Sequence, residues 1–504
     1  MKVLVANRGE IAIRIMRACC EMGFASVAVY SECDRGAPHV VYADEAYAIG
    51  ASEPQESYLC ADKMLEVAER ADVWAVHPGY GFLSENGEFA ASVRAAGRVF
   101  VGPSADAIAL MGGKVAARET VLAAGVSVVP GTGAPVDPEI SHDAMIALAS
   151  TIGYPLLVKA VAGGGGKGIR LVSEPSAIAT AIATARSEAG SAFGDDAVYL
   201  ERQLQSPRHI EIQILADEYG TVVPFVEREC SIQRRYQKLV EESPAFGMSL
   251  QRRSAMADAA VSIAKAVGYT NAGTVEFLVD ESGAFYFLEM NTRLQVEHGV
   301  TEAVTGVDLV RWQLRIAQGE KLDITPERTL TPSGHAIECR VYAEDPDASF
   351  LPSPGRICGL QVPSGPGIRE DSCAVVGGEV PVFYDPLISK VVVWGTDRTH
   401  AIARMRRAMD EFRVQGIKTT IPFFQWLIRS GAFATGTIDT TFVDTTLAER
   451  DGRGFADPSS EAEEAAVIGV AVHAFLESVG RETTENLETS SPWRRAARAA
   501  ALRI

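Results

Sequence analysis

The segment GTVEFLVDESGAFYFLEMN, which begins at Gly273, restricts the fold most strongly because it predicts a tight hairpin with opposed acidic side chains. Two strand-like runs flank the turn sequence DESG. With a two-residue tip at Ser282 and Gly283, Glu276 and Glu289 become direct cross-strand partners. Like charges opposed in this way destabilise a sheet, and a bound Mg²⁺ or Mn²⁺ ion would compensate them.

Polar residues recur at every second position beyond this hairpin. If the segment stays extended, they project from one face: Glu289, Asn291, Arg293, Gln295 and Glu297. The intervening Met290, Leu294 and Val296 then point to an apolar side. A solvated strand face is the commoner cause of alternating polarity. Carboxylates, amides and a cation beside an acidic pair nevertheless favour a ligand site.

The first hundred residues alternate between strand and helix patterns, which predicts a doubly wound parallel α/β sheet. KVLVA and SVAVY are typical of buried strands, and the helix between them has apolar residues at Ile11 and Ile15 and ends near Gly23. The first turn is NRGE, so the glycine fingerprint of dinucleotide-binding folds is missing from its expected place. The later loop HPGYGFLSEN is compatible with either a tight connection or the wall of a ligand site.

Four consecutive glycines, Gly163, Gly164, Gly165 and Gly166, lie between the predicted strands PLLVKA and GIRLV. A strand follows the GxGxxG match where a helix is required, and the Walker pattern lacks its first glycine and its Ser/Thr. The segment therefore predicts a hairpin with a long tip free of side chains. This tip could bind phosphate through backbone N–H groups, with Lys159 adding charge, or act as a flexible hinge.

Two further polar segments precede the acidic hairpin. RHIEIQIL alternates between an apolar face and a polar face that carries His209. The segment 227–245 contains Arg234, Arg235 and Lys238. A basic cluster in an acidic protein indicates either a bound anion or an exposed loop.

The composition narrows the class of protein. A chain of 504 residues suggests about three domains. Its formal net charge of −18 argues against general nucleic-acid binding. No apolar run approaches the ~18 residues of a membrane helix, and Asn7, Arg8 and Glu10 interrupt the N-terminal apolar run too early for a signal peptide. Eight cysteines without CxxC or zinc spacing predict reduced thiols and a cytoplasmic location.

Eight motifs, in order, resemble the biotin carboxylases of the ATP-grasp superfamily over roughly residues 1–445. They are ANRGEIA, HPGYGFLSEN, KAVAGGGGKGIR, RHIEIQ, SIQRRYQKLVEE, FLEMNTRLQVEH, IECRVYAEDP and FLPSPG. The resemblance implies ATP-dependent carboxylation of biotin by bicarbonate through carboxyphosphate, the first half-reaction of a biotin-dependent carboxylase. Another ATP-grasp carboxylate–amine ligase is the alternative reaction, and a non-catalytic nucleotide-binding subunit is the alternative of a different class.

The resemblance also implies a fold class, α/β and α+β, and a division into domains. The implied ranges are an N-terminal doubly wound α/β domain over 1–112, an ATP-grasp domain over 113–330 with a mobile glycine-loop lid over about 131–203, a C-terminal biotin carboxylase domain over 331–445, and a linker with a helical tail over 446–504.

The site roles follow from the family, position by position. ATP would be bound by Lys114, Lys159, Gly163, Gly164, Gly165, Gly166, Glu201, Leu204, His209 and Gln233, with Glu201 and Leu204 at the adenine. The Mg²⁺ or Mn²⁺ ligands would be Glu276, Glu289 and Asn291. Arg293, Gln295 and the Val296 backbone would hold bicarbonate, with Glu297 as its base. Lys238 would face the anionic intermediates, Arg340 the biotin enolate, and Tyr80 the biotin ring.

Two positions depart from the family pattern. Gly113 in MGGK stands where an acidic residue is common, and Tyr236 stands where a histidine is common. The turn at Gly113 and the ribose or phosphate contacts near Tyr236 are therefore where differences are expected.

Biotin is carried on a lysine within an Ala-Met-Lys-Met-like turn, and the only Met-Lys pair here is Met1-Lys2. We therefore expect a separate biotin carboxyl carrier protein, and a carboxyltransferase on another chain of an acyl-CoA or pyruvate carboxylase. The resemblance implies a homodimer or larger assembly, with Arg369 matching the family's interface region.

The segment after residue 445 has a different composition. EAEEAAVIGVAVHAFLESVG predicts a helix over 461–480 that has an acidic first turn and ends at Gly480. PWRRAARAAALRI predicts a short basic helix. This pattern is compatible with a packing appendage and with an element that docks onto a partner protein.

Overall fold

The structure is a computed structural model. It describes residues 1–161, 169–456 and 460–488. Two compact units are formed, Met1–Arg453 and Gly454–Ile504. The run Gly163, Gly164, Gly165 and Gly166 and the predicted C-terminal basic helix lie outside the described residues.

A parallel sheet opens the first unit and confirms the predicted doubly wound α/β fold. Its strands are β1 (Lys2–Val5), β2 (Ala25–Ser31), β3 (Glu45–Gly50), β4 (Ala75–His77) and β5 (Val99–Phe100). The order is β3–β2–β1–β4–β5. The helices of this region are α1 (Gly9–Glu21), α2 (Pro38–Tyr42), α3 (Ala61–Arg70), α4 (Gly87–Ala95), α5 (Ala105–Gly112) and α6 (Lys114–Ala123). As its apolar spacing predicts, α1 buries Ile11 and Ile15 in a core shared with Val3 and Val5.

A smaller antiparallel sheet follows, covered by α7 (His142–Ile152) and α8 (Ile178–Phe193). Its strands are β6 (Leu156–Ala160), β7 (Ile169–Val172) and β8 (Val198–Arg202), in the order β7–β6–β8. Pairing of β6 with β7 confirms the predicted hairpin on either side of the glycines.

The largest sheet carries most of the predicted site residues. The remaining strands of the first unit are β9 (Arg208–Ala216), β10 (Val222–Pro224), β11 (Arg228–Arg234), β12 (Gln237–Ser243), β13 (Asn271–Val279), β14 (Phe285–Asn291), β15 (His335–Tyr342), β16 (Glu344–Asp345), β17 (Leu351–Pro352), β18 (Gly355–Arg356), β19 (Gly359–Gln361), β20 (Ile368–Ser372), β21 (Glu379–Val380), β22 (Leu387–Gly395) and β23 (Arg413–Gln415). The large sheet has the order β14–β13–β9–β11–β12–β15–β22–β20, with β10 also paired to β9. Ile210, Ile212 and Ile214 of β9 enter the core beneath it, so the predicted apolar face of this strand is confirmed.

Helices pack around the large sheet. They are α9 (Leu250–Ala266), α10 (His298–Thr305), α11 (Leu309–Ala317), α12 (Pro326–Thr329), α13 (Arg398–Glu411), α14 (Ile421–Leu427), α15 (Gly431–Thr435) and α16 (Phe442–Arg450). The sheet continues across the predicted border at residues 330 and 331, because β12 pairs with β15. The four domain ranges given above therefore remain predictions from the sequence.

The second unit contains one long helix among its described residues, α17 (Ser460–Glu488). The predicted end at Gly480 is wrong, because the helix continues through this residue. A glycine inside a helix costs only about 1 kcal/mol, and no proline follows before Pro492.

Candidate active site

The predicted carboxylate pair is present on the large sheet. Glu276 of β13 lies directly opposite Glu289 of β14. Glu276 is buried, whereas Glu289 is exposed. Asn291, the last residue of β14, donates from Nδ2 to Glu276 Oε1 at 2.8 Å. The three predicted metal ligands therefore lie together at one edge of the sheet.

The turn that produces this pair differs from the predicted two-residue tip. Val279 pairs with Phe285, so residues 280–284 form the turn. The register then shifts by one residue on the way to Glu276, and Leu288 is the extra residue on β14. This bulge restores the pairing that a two-residue turn would have given.

The polar row after β14 converges on the carboxylates, although the predicted extended strand is wrong beyond Asn291, where β14 ends. Gln295 Nε2 donates to Glu276 Oε1 at 2.6 Å, and Arg293 Nη2 donates to Asn291 Oδ1 at 2.9 Å. Glu297, the residue immediately before α10, also extends to the site. A turn thus brings these groups closer together than an extended strand would.

Lys238 joins carboxylates that belong to separate segments of the chain. Its Nζ lies 2.6 Å from Glu211 Oε2, 2.8 Å from Glu276 Oε1 and 2.7 Å from Glu297 Oε1. An ammonium has three donors, and all three are used here. Burial alone would lower the pKa of Lys238, but the three carboxylates hold it well above its usual value.

Glu297 accepts hydrogen bonds on both carboxylate oxygens. Arg340 Nη2 donates to Oε2 at 2.9 Å, on the side opposite Lys238. Burial alone would raise the pKa of Glu297, but Lys238, Arg340 and Arg228 hold it well below its usual range. The side chain is therefore ionised at neutral pH, which is the form that a base must have.

Arg228 is a site residue that sequence reasoning missed. It is fully buried on β11, contacts Glu211, and donates to Gln213 Oε1 at 2.9 Å and Gln295 Oε1 at 2.7 Å. A signal was available, because Arg228 alternates with the apolar residues Cys230 and Ile232 in the sequence of β11. An arginine on such a row requires buried partners.

The residues predicted to bind ATP also include a basic group around a carboxylate. Lys159 of β6 contacts Glu201 of β8, and Arg118 Nη1 donates to the same carboxylate at 3.0 Å. Lys114 Nζ donates to the carbonyl of Ala160 at 3.0 Å. Burial and repulsion by Lys159 lower the pKa of Lys114, so this region favours an added anion. Arg118 is a second residue that sequence reasoning missed.

The other predicted ATP residues lie on or beside the same sheets. His209 Nε2 is 2.9 Å from Glu276 Oε2, and Gln233 is buried on β11 opposite Lys238. Leu204 is half-buried between β8 and β9.

The predicted basic cluster is divided by the hairpin between β11 and β12. Arg235 and Tyr236 are exposed at its tip, with φ of 48° and 66°. Lys238 instead joins the buried carboxylates. Gly113 separates α5 from α6, so each departure from the family pattern falls at a turn.

The loop after β4 contacts the site from the N-terminal sheet. Asn7 Nδ2 donates to the carbonyls of Pro78 and Tyr80, each at 2.7 Å. Arg293 Nε donates to Glu85 Oε2 at 2.8 Å. Because it contacts a predicted bicarbonate residue, this loop fits the wall of a ligand site.

The donor set fits a hard divalent cation. Glu276, Glu289 and Asn291 offer carboxylate and amide oxygens, which Mg²⁺ and Mn²⁺ prefer. The opposed carboxylates would otherwise repel each other across β13 and β14. His209, Glu211 and Glu276 also place potential ligand atoms within 4.8 Å of one another.

The fold and the site define an ATP-grasp enzyme, and comparison with known proteins identifies its family. Three family models match: biotin carboxylase N-terminal domain over 1–108, carbamoyl-phosphate synthase L chain ATP-binding domain over 113–325, and biotin carboxylase C-terminal domain over 338–445. The chain belongs to the biotin carboxylase family and is a ligase that carboxylates biotin with ATP. This membership identifies the reaction as biotin carboxylation and not as the alternative carboxylate–amine ligation.

Individual relatives cover almost the same range. A pyruvate carboxylase subunit of Methanothermobacter thermautotrophicus is 52% identical over 444 residues, 88% of this chain and 89% of that protein. Biotin carboxylase of Nostoc sp. is 51% identical over 442 residues, 88% of this chain and 98% of that protein.

Solved structures are similar as well. A biotin carboxylase–βγ-ATP complex from Campylobacter jejuni has a TM-score of 0.85 and 44% identity, covering 88% of this chain and 98% of its own. The biotin carboxylase domain dimer of Hydrogenobacter thermophilus 2-oxoglutarate carboxylase, with MgADP, ADP and bicarbonate, has a TM-score of 0.86 and 43% identity, covering 91% and 99%.

Proposed function

We propose that this chain catalyses the first half-reaction of a biotin-dependent carboxylase and activates bicarbonate at Glu297. One observation carries the assignment of residues. Glu297 is a buried carboxylate held between Lys238 at 2.7 Å and Arg340 at 2.9 Å. A base, a cation for phosphoryl oxygens and a cation for an enolate therefore meet at one point.

In the first step, Glu297 accepts the proton of bicarbonate. A bicarbonate oxygen then attacks the γ-phosphorus of ATP, the bond to ADP breaks, and carboxyphosphate forms. The guanidinium of Arg293, the amide of Gln295 and the backbone N–H of Val296 would hold the anion. Arg293 would exchange its present contact with the exposed Glu85 for the substrate.

In the second step, carboxyphosphate separates into CO₂ and phosphate. Biotin loses the ureido proton to this phosphate, and the ureido nitrogen then bonds to CO₂. The fixed charge of Arg340 would stabilise the enolate oxygen, because arginine does not lose its proton in proteins. Tyr80 would line the biotin ring, and Lys238 would neutralise the phosphoryl oxygens.

Lys114, Lys159, His209, Gln233, Glu201 and Leu204 would bind ATP. A divalent cation at Glu276, Glu289 and Asn291 would supply positive charge to the phosphates of ATP.

Oxygen transfer tests this route directly. Bicarbonate labelled with ¹⁸O should place one labelled oxygen in each phosphate released during biotin carboxylation, because the attacking oxygen stays on phosphorus. Unlabelled phosphate at full turnover would mean that water attacks ATP, and would refute the carboxyphosphate route. Glu297→Gln is the matched control and should release little phosphate of either kind.

We further propose that the chain works as a cytoplasmic homodimer or larger assembly with a separate biotin carboxyl carrier protein and a carboxyltransferase. All eight cysteines are free thiols, which supports a reducing compartment. Among the described residues, no helix is long and apolar enough to cross a membrane.

The tail is proposed to dock onto a partner protein of the holoenzyme. Residues 446–504 lie beyond the three family models, and α17 exposes Val467, Ile468, Val470 and Val472. A chain that ends at Arg453 should carboxylate free biotin normally but lose its place in the holoenzyme. Ile468→Glu in the full chain should weaken assembly in the same direction, and intact assembly in both variants would contradict docking.

A further inference from the structure

Lys390 is a fully buried cation that the reaction scheme above does not use. It lies on β22, directly opposite Arg340 of β15. Directly opposed residues of an antiparallel pair project from the same face of a sheet. The two cations therefore approach the segment before α10 side by side.

The two cations hold consecutive residues of that segment. Lys390 Nζ donates to the carbonyl of Val296 at 2.8 Å, and Arg340 Nη2 donates to Glu297 Oε2 at 2.9 Å. The Val296 carbonyl belongs to the rigid peptide plane that leads into Glu297. A fixed ammonium on this oxygen therefore limits rotation of the backbone between the proposed bicarbonate N–H and the proposed base.

Charge balance explains how the buried ammonium is tolerated. Lys390 Nζ lies 3.1 Å from Glu10 Oε1 and 4.0 Å from Asp371 Oδ2. These acidic groups account for burial of the charge, but they do not require a hydrogen bond to Val296. The contact with the backbone is the part that points to function.

We propose that Lys390 is a positioning residue for bicarbonate: it fixes the Val296 peptide so that the backbone N–H and Glu297 face the same anion. This inference rests on the proposed function, in which the Val296 backbone binds bicarbonate and Glu297 accepts its proton. A purely structural lysine would instead serve only to balance Glu10 and its acidic neighbours.

Paired variants separate these two roles. Lys390→Met leaves buried Glu10 without its cation and should lower the melting temperature. Glu10→Gln/Lys390→Met removes both charges and should recover much of that loss, but no group then holds the Val296 carbonyl. Glu10→Gln alone keeps the contact with Val296 and is the matched control.

The measurement is KM for bicarbonate and KM for ATP in biotin-dependent ATP cleavage. We expect the double variant to raise KM for bicarbonate about ten-fold or more, as for loss of a hydrogen bond from a charged donor. KM for ATP should stay within about two-fold, and Glu10→Gln should match the wild type in both constants.

The positioning role would be overturned by a double variant with wild-type KM for bicarbonate, or by equal rises in both constants. A double variant that does not fold would also overturn it. Lys390 would then be needed for folding itself, beyond the balance of its charge with Glu10. A wild-type protein whose ATP cleavage ignores bicarbonate would instead contradict the proposed function itself.

Discussion

Arg340 Nη2 lies 2.9 Å from Glu297 Oε2, so the cation assigned to the biotin enolate also holds the carboxylate assigned to bicarbonate. Both groups are buried, and water therefore weakens this ion pair little. The two chemical steps share one pair of side chains. A change in either residue should affect the steps to different degrees, which makes the assignment testable.

Arg340→Gln should separate the two steps. We expect biotin carboxylation to fall at least about 100-fold, because a fixed charge opposite the enolate is lost. Slow bicarbonate-dependent ATP cleavage without biotin should persist, since Glu297 and Lys238 remain. The matched control is Arg429→Gln, an exposed arginine paired with Asp410, which should leave both rates unchanged. Equal loss of both activities would contradict separate roles.

Lys238→Met should destabilise the protein strongly in the absence of metal. Removing one member of a buried charge cluster costs about 3–5 kcal/mol, because Glu211, Glu276 and Glu297 lose their shared partner. Mg²⁺ should recover part of the lost melting temperature in differential scanning calorimetry, because it adds positive charge at Glu276. An unchanged melting temperature would show that the three carboxylates are compensated elsewhere.

Glu289→Gln should weaken metal binding without loss of stability. Glu289 is exposed, so the melting temperature should stay within about 2 °C, whereas the Mg²⁺ concentration for half-maximal ATP cleavage should rise about ten-fold or more. Glu276→Gln, at the buried partner, should change both quantities. Wild-type Mg²⁺ dependence in both variants would remove this pair from the metal site.

Glu302 should contribute stability that depends on pH. Burial alone would raise its pKa, but Arg14, His298 and Arg369 lower it to about 2. A carboxyl with a lowered pKa stabilises the fold above its unfolded pKa, near 4.5, and this stabilisation is lost as the pH falls toward 2. The shift corresponds to on the order of 3 kcal/mol.

Comparison of the wild type with Glu302→Gln at several pH values tests this expectation. The gap between the two melting temperatures should be widest at pH 6 and should shrink steadily between pH 4.5 and 2. A gap that stays constant over this range would mean that the ion pairs with Arg14 and Arg369 add no pH-dependent stability.

The sequence predicts the N-terminal fold well because local patterns determine it. The apolar spacing of α1 and the alternation of β9 are properties of single segments, and both are present as predicted. The pairing of Glu276 with Glu289 is also right, although it depends on the bulge at Leu288. A β-bulge adds one residue to one strand of a hairpin, and the local sequence pattern does not show at which position it lies.

The residues that could not be predicted from the sequence are those that depend on contacts between distant parts of the chain. Arg228 is buried among residues from three other segments, and Lys390 reaches Val296 from 94 positions away. Such pairs have no spacing rule. The end of α17 beyond Gly480 is also mispredicted. The free energy that one glycine costs is smaller than the free energy that the rest of the helix gains by continuing.

ATP cleavage by the purified chain, with Mg²⁺, bicarbonate and free biotin omitted one at a time, tests the central assignment most directly. Turnover should require bicarbonate, rise with biotin, and fall at least about 1,000-fold in Glu297→Gln at a temperature at which the variant is still folded. Biotin-stimulated turnover that survives in Glu297→Gln would contradict the assignment of Glu297 as the base for bicarbonate.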